Sequence, residues 1–137
     1  MQVVSDSVGA LSAEGIQVSL FIDPDAAQME AAVKAGASMI ELCTAAYAES
    51  CPKSTDLAGP AFKRELTRIV QASERGSKQG LKILAGHGLT YRNVRHISDT
   101  PEIEELNIGH NIIARASLVG MDRAVREMIQ AMKHIDD

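Results

Sequence analysis

Aromatic residues are scarce in this chain. Phe21, Phe62, Tyr47 and Tyr91 are the only ones among 137 residues, and tryptophan is absent. Stacking on nucleic-acid bases therefore has little to work with. Basic residues are not in excess either. Eighteen acidic side chains against fourteen basic ones leave a net charge of −4, the wrong sign for gripping a phosphodiester backbone. Cys43 and Cys51 are too few for a disulfide framework and lack the spacing of a zinc site. They read as two reduced thiols in a cytoplasmic protein, with no metal. No apolar run approaches the length of a bilayer span, so no membrane role is expected. No basic segment followed by an apolar one opens the chain as a secretory leader would. Neither a Walker lysine motif nor GxGxxG is present, so nucleotide binding gains no support.

What the chain does have is a repeated alternation of helix and strand signals. Val4, Val8 and Leu11 fall at helical spacing, and Gly15 can end that helix. Ile16 to Ile22 reads as a buried strand. Asp23-Pro24 predicts a helix start, with Met29, Ala32 and Val33 as its apolar stripe and Gly36 at its end. Ser38 to Leu42 is a second strand, and Thr44 to Pro60 reads as a long loop. Phe62, Leu66, Ile69 and Ser73 mark the next helix, which Gly80 ends and Gly76 weakens or bends. Leu81 to Ala85 is the third strand, and Thr90 can cap a short helix through Ile97. Glu105 to Ile108 is the fourth strand. A short helix from His110 to Leu118 and an amphipathic one through Met121, Val125, Met128, Ile129 and Met132 complete the pattern. Such alternation predicts one α/β domain with a parallel sheet over residues 1–137. Four βα units are too few for a closed eight-stranded barrel. A small open sheet and half a barrel both fit the pattern.

Chemistry concentrates at two strand ends. Ala85-Gly86-His87-Gly88-Leu89-Thr90 follows the third strand and Leu106-Asn107-Ile108-Gly109-His110 closes the fourth. In parallel α/β proteins the carboxyl ends of the strands form the ligand face. A histidine there can serve as general acid or base. Alternatively His87 only bonds a loop carbonyl. The glycines beside it clear space around the ring. Gly88, Gly109 and His110 suggest an anion pocket at the start of a short helix. The plainer reading of Gly109 is relief of a tight turn. Glu41 interrupts the apolar run Met39-Ile40-Glu41-Leu42, where a carboxylate is costly to bury unless bonded. It is either a site residue or a strand-end group facing solvent. Lys82, at the opposite end of its strand, reads as structural or solvated. His96 and His134 read as surface residues.

Taken together, four segments resemble the pyridoxine 5′-phosphate synthase family. They are Gly15 to Asp23, Ile40-Glu41-Leu42, Ala85-Gly86-His87-Gly88-Leu89-Thr90-Tyr91 and Glu105-Leu106-Asn107-Ile108-Gly109-His110. The likeness runs over nearly the whole chain but covers only the C-terminal half of the family's usual length. It implies half of a TIM (β/α)₈ barrel, with four parallel strands equivalent to barrel strands 5–8 and flanking helices. The implied reaction condenses 3-amino-2-oxopropyl phosphate with 1-deoxy-D-xylulose 5-phosphate to pyridoxine 5′-phosphate, without a cofactor.

The resemblance further implies that His87 is the proton donor and Glu41 the group that stabilises charged transition states. Gly88, Gly109 and His110 would hold substrate and phosphate. The family's substrate-binding Asp-His pair, histidine base, substrate arginine and glutamate base belong to the first four strands and have no counterpart here. The implied activity of this chain alone is therefore little or none. Implied partners are phosphorylated small molecules, together with a second copy of the chain or an N-terminal half-barrel. A non-catalytic phosphate-ester-binding module and a structural half-barrel remnant are the alternatives. Locally, Cys43 stands where the family usually has histidine. Ala45 and Ala46 stand in part for a Thr-Gly loop start, and Leu84 replaces a position that is often polar. The stretch from Tyr47 to Pro60 is longer than usual.

Overall fold

The computed structural model describes residues 2–51 and 59–133. Its elements run α1 (Gln2–Ala13), β1 (Ser19–Ile22), α2 (Ala26–Lys34), β2 (Met39–Cys43), α3 (Ala45–Ser50), α4 (Pro60–Lys78), β3 (Lys82–Gly86), α5 (Val94–Ser98), β4 (Ile103–Asn107), α6 (His110–Val119) and α7 (Met121–Met132). The four strands form one sheet in the order β1-β2-β3-β4, and every neighbouring pair is parallel. Parallel neighbours require a crossover between them, which the intervening helices supply. This is the predicted α/β architecture, and it matches half of a (β/α)₈ barrel.

One face of the sheet builds the core. Ile40, Leu42, Ile83 and Ala85 are buried against Met29 and Ala32 of α2, Phe62, Ile69 and Ala72 of α4, and Val94 and Ile97 of α5. Each large side chain so buried contributes about 1.5–3 kcal/mol. Gly76 of α4 has a packing role. A Cβ there would stand 2.7 Å from Ile83 Cδ1 and 3.4 Å from Ile40 Cδ1. The glycine lets the helix approach the sheet closely, and α4 continues past it to Lys78.

The other face is only partly covered among the described residues: Leu84 at its middle is buried, but Phe21 and Glu105 toward the edges are exposed. Cα register places Phe21, Glu41, Leu84 and Glu105 in one row across the four strands. None of the four belongs to the helix-covered core. Phe21 is 57% exposed, so β1 is not the buried strand its composition predicts. Leu20 and Ile22 face the helices and Phe21 points the other way, as strand alternation requires. Parallel sheets are ordinarily covered on both faces.

Several boundaries differ from the sequence expectation for local reasons. The cap of α2 is Asp25, not Asp23. Its carboxylate accepts the amides of Ala27 (3.0 Å) and Gln28 (3.1 Å). Asp23 instead exchanges two hydrogen bonds with the Gln28 side chain. Val33 is 40% exposed and leaves the apolar stripe. The expected loop from Thr44 begins as α3, because Tyr47 is buried and anchors a helical turn. Residues 52–58 of that stretch, and His134, lie outside the described residues. Thr90 does not cap a helix. Its Oγ1 accepts the Arg92 amide within a turn, and α5 starts only at Val94. Lys82 sits 3.7 Å from Glu105 on the partly covered face, and His96 is exposed with its ring edge against Phe62.

Candidate functional site

The carboxyl ends of β2, β3 and β4 open onto a cleft of about 540 Å³. Glu41, His87, Gly88, Gly109 and His110 all line it. The structure therefore brings the five site candidates read from the sequence to one place. Asn107 and Asn111 line it as well.

Glu41 projects from the middle of β2 across the end of β3. Asn107 Nδ2 donates to its Oε2 at 2.8 Å, tying β2 to β4 over Gly86. A Cβ on Gly86 would collide with Glu41 Oε1 and lie 2.8 Å from the Asn107 carbonyl oxygen. The space cleared by this glycine is thus filled by the carboxylate, not left open beside the imidazole. Gly88 has φ +77°, and a Cβ there would stand 2.8 Å from Ala48 Cβ. It lets the loop pass close to α3 while still bordering the cleft.

His87 itself adopts φ +80° and is exposed. Its ring lies 6.3 Å from that of Phe21, tilted by 47°. The loop beneath is held by buried polar groups. Thr44 Oγ1 lies 2.6 Å from the His87 carbonyl oxygen. Asn93 Oδ1 accepts the Thr90 amide at 2.7 Å, and its Nδ2 donates to the Gly88 carbonyl at 3.3 Å. Tyr47 Oη donates to the Asn93 carbonyl at 2.6 Å. Burial pushes the Tyr47 phenol far above its usual range, so it is a permanent donor. Burial likewise raises the Cys51 thiol, whose Sγ lies 3.4 Å from the Tyr47 carbonyl.

Gly109 takes the cap position of α6 with φ −103°, and a Cβ there would meet nothing within 4 Å. No left-handed turn demands glycine at this point. No side chain caps the first-turn amides of α6, whose first residues His110 and Asn111 border the cleft. Open amides and the helix dipole favour an anion there. Among the described residues no three His, Cys, Asp or Glu side chains group as metal ligands. No described helix is long and apolar enough to cross a membrane.

Thr44, Tyr47, Asn93 and Asn107 were not picked out from the sequence. Only Asn107 carried a usable signal. It ends a strand one residue before the Ile108-Gly109-His110 turn, where a polar side chain must face the ligand side or find a partner.

Known proteins give the same picture. The family model for "Pyridoxal phosphate biosynthesis protein PdxJ" matches residues 1–134. A pyridoxine 5′-phosphate synthase from Synechococcus sp. (strain JA-2-3B'a(2-13)) is 53% identical over 129 residues, covering 93% of this chain and 51% of that protein. The enzyme of the same name from Geobacter sulfurreducens is 48% identical over 134 residues, covering 98% of this chain and 54% of its own length. The one from Synechocystis sp. is 52% identical over 125 residues, covering 91% and 49%. The chain thus spans about half the length of the curated relatives it matches. With four parallel βα units, a strand-end cleft and a match over residues 1–134, this chain belongs to the pyridoxal phosphate biosynthesis protein PdxJ family.

Proposed function

We propose that this chain supplies the C-terminal half of a pyridoxine 5′-phosphate synthase site. The reaction would be the condensation of 3-amino-2-oxopropyl phosphate with 1-deoxy-D-xylulose 5-phosphate. The observation that carries the reading is the grouping of Glu41, His87, Gly88, Gly109 and His110 around one strand-end cleft. In it, His87 donates protons and Glu41, aimed by Asn107, stabilises developing positive charge. Gly88, Gly109 and His110 hold phosphate, helped by the uncapped start of α6. The proposal requires no metal or organic cofactor. Two free thiols, Cys43 and Cys51, suit a cytoplasmic setting.

Half a site is expected to perform poorly. Ring closure needs imine formation, several proton transfers, phosphate loss and dehydration. Each positioned acid or base contributes about 10²–10⁴-fold. The groups that would act from the opposite side of the substrate must come from elsewhere. The edges β1 and β4, and the partly covered row from Phe21 to Glu105, are where an N-terminal half-barrel would close the structure. A second copy could cover the same edges, but it would duplicate His87 and Glu41 without adding new roles.

The test is product formation by the purified chain, alone and mixed with the first-half polypeptide of the Synechococcus relative. Turnover is expected only in the mixture, and only with His87 and Glu41 intact. Robust turnover by the chain alone, or a mixture indifferent to His87→Asn, would overturn the assignment. A second reading, a non-catalytic phosphate-ester-binding module, draws on the open amides of α6. Saturable phosphate-monoester binding at Gly109–Asn111 with no turnover in any mixture would favour it.

A further inference from the structure

Among the described residues His87 is the one non-glycine with positive φ, at +80°. Histidine visits this region more readily than most side chains, yet the conformation is still disfavoured. Something in the surrounding structure has to hold it. Thr44 stands directly beneath, 0% exposed, at the end of β2. Its amide donates to the Gly86 carbonyl at 2.8 Å. Its hydroxyl oxygen lies 2.8 Å from the same Gly86 oxygen and 2.6 Å from the His87 oxygen. A hydroxyl has one proton to donate. The His87 oxygen is the shorter contact and, unlike Gly86 O, does not receive the Thr44 amide, so we assign the hydroxyl proton to His87 O.

We infer that Thr44 is a positioning residue: its hydroxyl fixes the His87 carbonyl inward and thereby turns the imidazole outward, over Phe21 and into the cleft. The geometry leaves few alternatives. With carbonyl 86 held by the Thr44 amide and carbonyl 87 by its hydroxyl, the two peptides flanking the His87 Cα are both fixed to the end of β2. The side chain at 87 must then leave on the opposite side, where the Phe21 ring lies. Thr44→Val keeps the shape and β-branching but removes the donor. A part-buried carbonyl that loses its partner is penalised. Freed of that bond, the peptides on both sides of the His87 Cα turn together, which returns His87 to negative φ and swings the ring away. The catalytic consequence rests on the proposed role of His87, but the positional claim does not.

The experiment compares the chain with Thr44→Val and Thr44→Ser by NMR. Positive φ brings the amide and α protons of a residue close, so His87 gives a strong intraresidue NOE together with contacts from its ring to Phe21. Both are expected to be lost in Thr44→Val and retained in Thr44→Ser, with the α6 amide resonances unmoved in either. Retention of both signals in Thr44→Val, or their loss in Thr44→Ser, overturns the inference. If Thr44→Val does not fold, the double variant Thr44→Val/His87→Gly decides, because glycine accepts positive φ freely. Recovery of folding supports the latch, and failure to recover refutes it. Inorganic phosphate titrated against the Gly109–Asn111 amides reads the anion site separately. Its failure would count against the proposed function and leave the latch standing.

Discussion

Gly86→Ala is the sharpest probe of how the site is built. The added methyl meets three atoms at once: Glu41 Oε1, the Asn107 carbonyl oxygen at 2.8 Å and Asn107 Cβ at 3.2 Å. The carboxylate can swing aside, because Glu41 is only half-buried. The Asn107 carbonyl cannot, since Asn107 is the Cα partner of Gly86 in the β3–β4 pairing. β4 must therefore yield by several tenths of an ångström, or the pairing opens at its carboxyl end. Overpacking of this kind costs about 1–3 kcal/mol. Loss of the hydrogen bond from Asn107 to Glu41 adds about 1 kcal/mol at a solvent-accessible site. The sum is a large share of the 5–15 kcal/mol typical of a folded domain. Gly109→Ala is the matched control, since its methyl meets nothing within 4 Å and φ is −103°. It should cost no more than about 1 kcal/mol as a cap change. Urea unfolding of the two variants, with the Asn107 side-chain amide followed by NMR, separates them. Equal midpoints, with the Asn107 signal unmoved in Gly86→Ala, would refute the packing argument.

Tyr47→Phe removes the donor to the buried Asn93 carbonyl, so it should cost about 1–3 kcal/mol and speed amide exchange at residues 88–93 by hydrogen-exchange NMR. Gly76→Ala should destabilise by about 1–3 kcal/mol in urea, although alanine is the better helix former, because its methyl meets Ile83 Cδ1 at 2.7 Å. The Arg115 and Arg123 guanidiniums hold the Glu127 carboxyl down at about 2, from 4.5. A depressed carboxylate stabilises fully above its unfolded value, so the tie between α6 and α7 should be intact above pH 4.5 and weaken as pH falls toward 2. Glu127→Gln should remove that acid dependence from the unfolding midpoint.

The alternation of elements was legible because its signals are local. Apolar runs such as Leu81 to Ala85 are bounded by glycines, and the amphipathic stripe of α4 repeats through Phe62, Ile69 and Ser73. The cleft was legible for a related reason. Residues that leave consecutive parallel strands at the same end must converge, so the His87 and Gly109 turns had to meet. What stayed hidden depends on distant partners. Thr44 meets His87 across 43 positions, Tyr47 meets Asn93 across 46, and Asn107 meets Glu41 across 66. A polar residue read in isolation gives no hint of such a pairing. The exposure of Phe21 was hidden because Leu20 and Ile22 on either side are also apolar, which erases the alternation. α3 was hidden because six residues, of which only Tyr47 is buried, carry no helical period.

The two faces of the sheet answer different physical demands. The helix-covered face holds aliphatic side chains at full burial, and its close approaches at Gly76 leave no room for change. The other face carries Glu41 bonded to Asn107 and Lys82 beside Glu105, with Phe21 exposed at the edge strand. Polar groups paired with one another across strands tolerate either water or a polar partner surface. An exposed aromatic ring and two strand edges unpaired among the described residues do not favour permanent solvation. The same face therefore gathers the side chains of the proposed site and the surfaces most in need of cover. A partner that closed β1 and β4 would shield Phe21, and the ring beside it, His87, would then sit between two walls instead of one. On the proposed reading, closure of the sheet and completion of the site would be a single event, and a variant that blocks one should abolish the other.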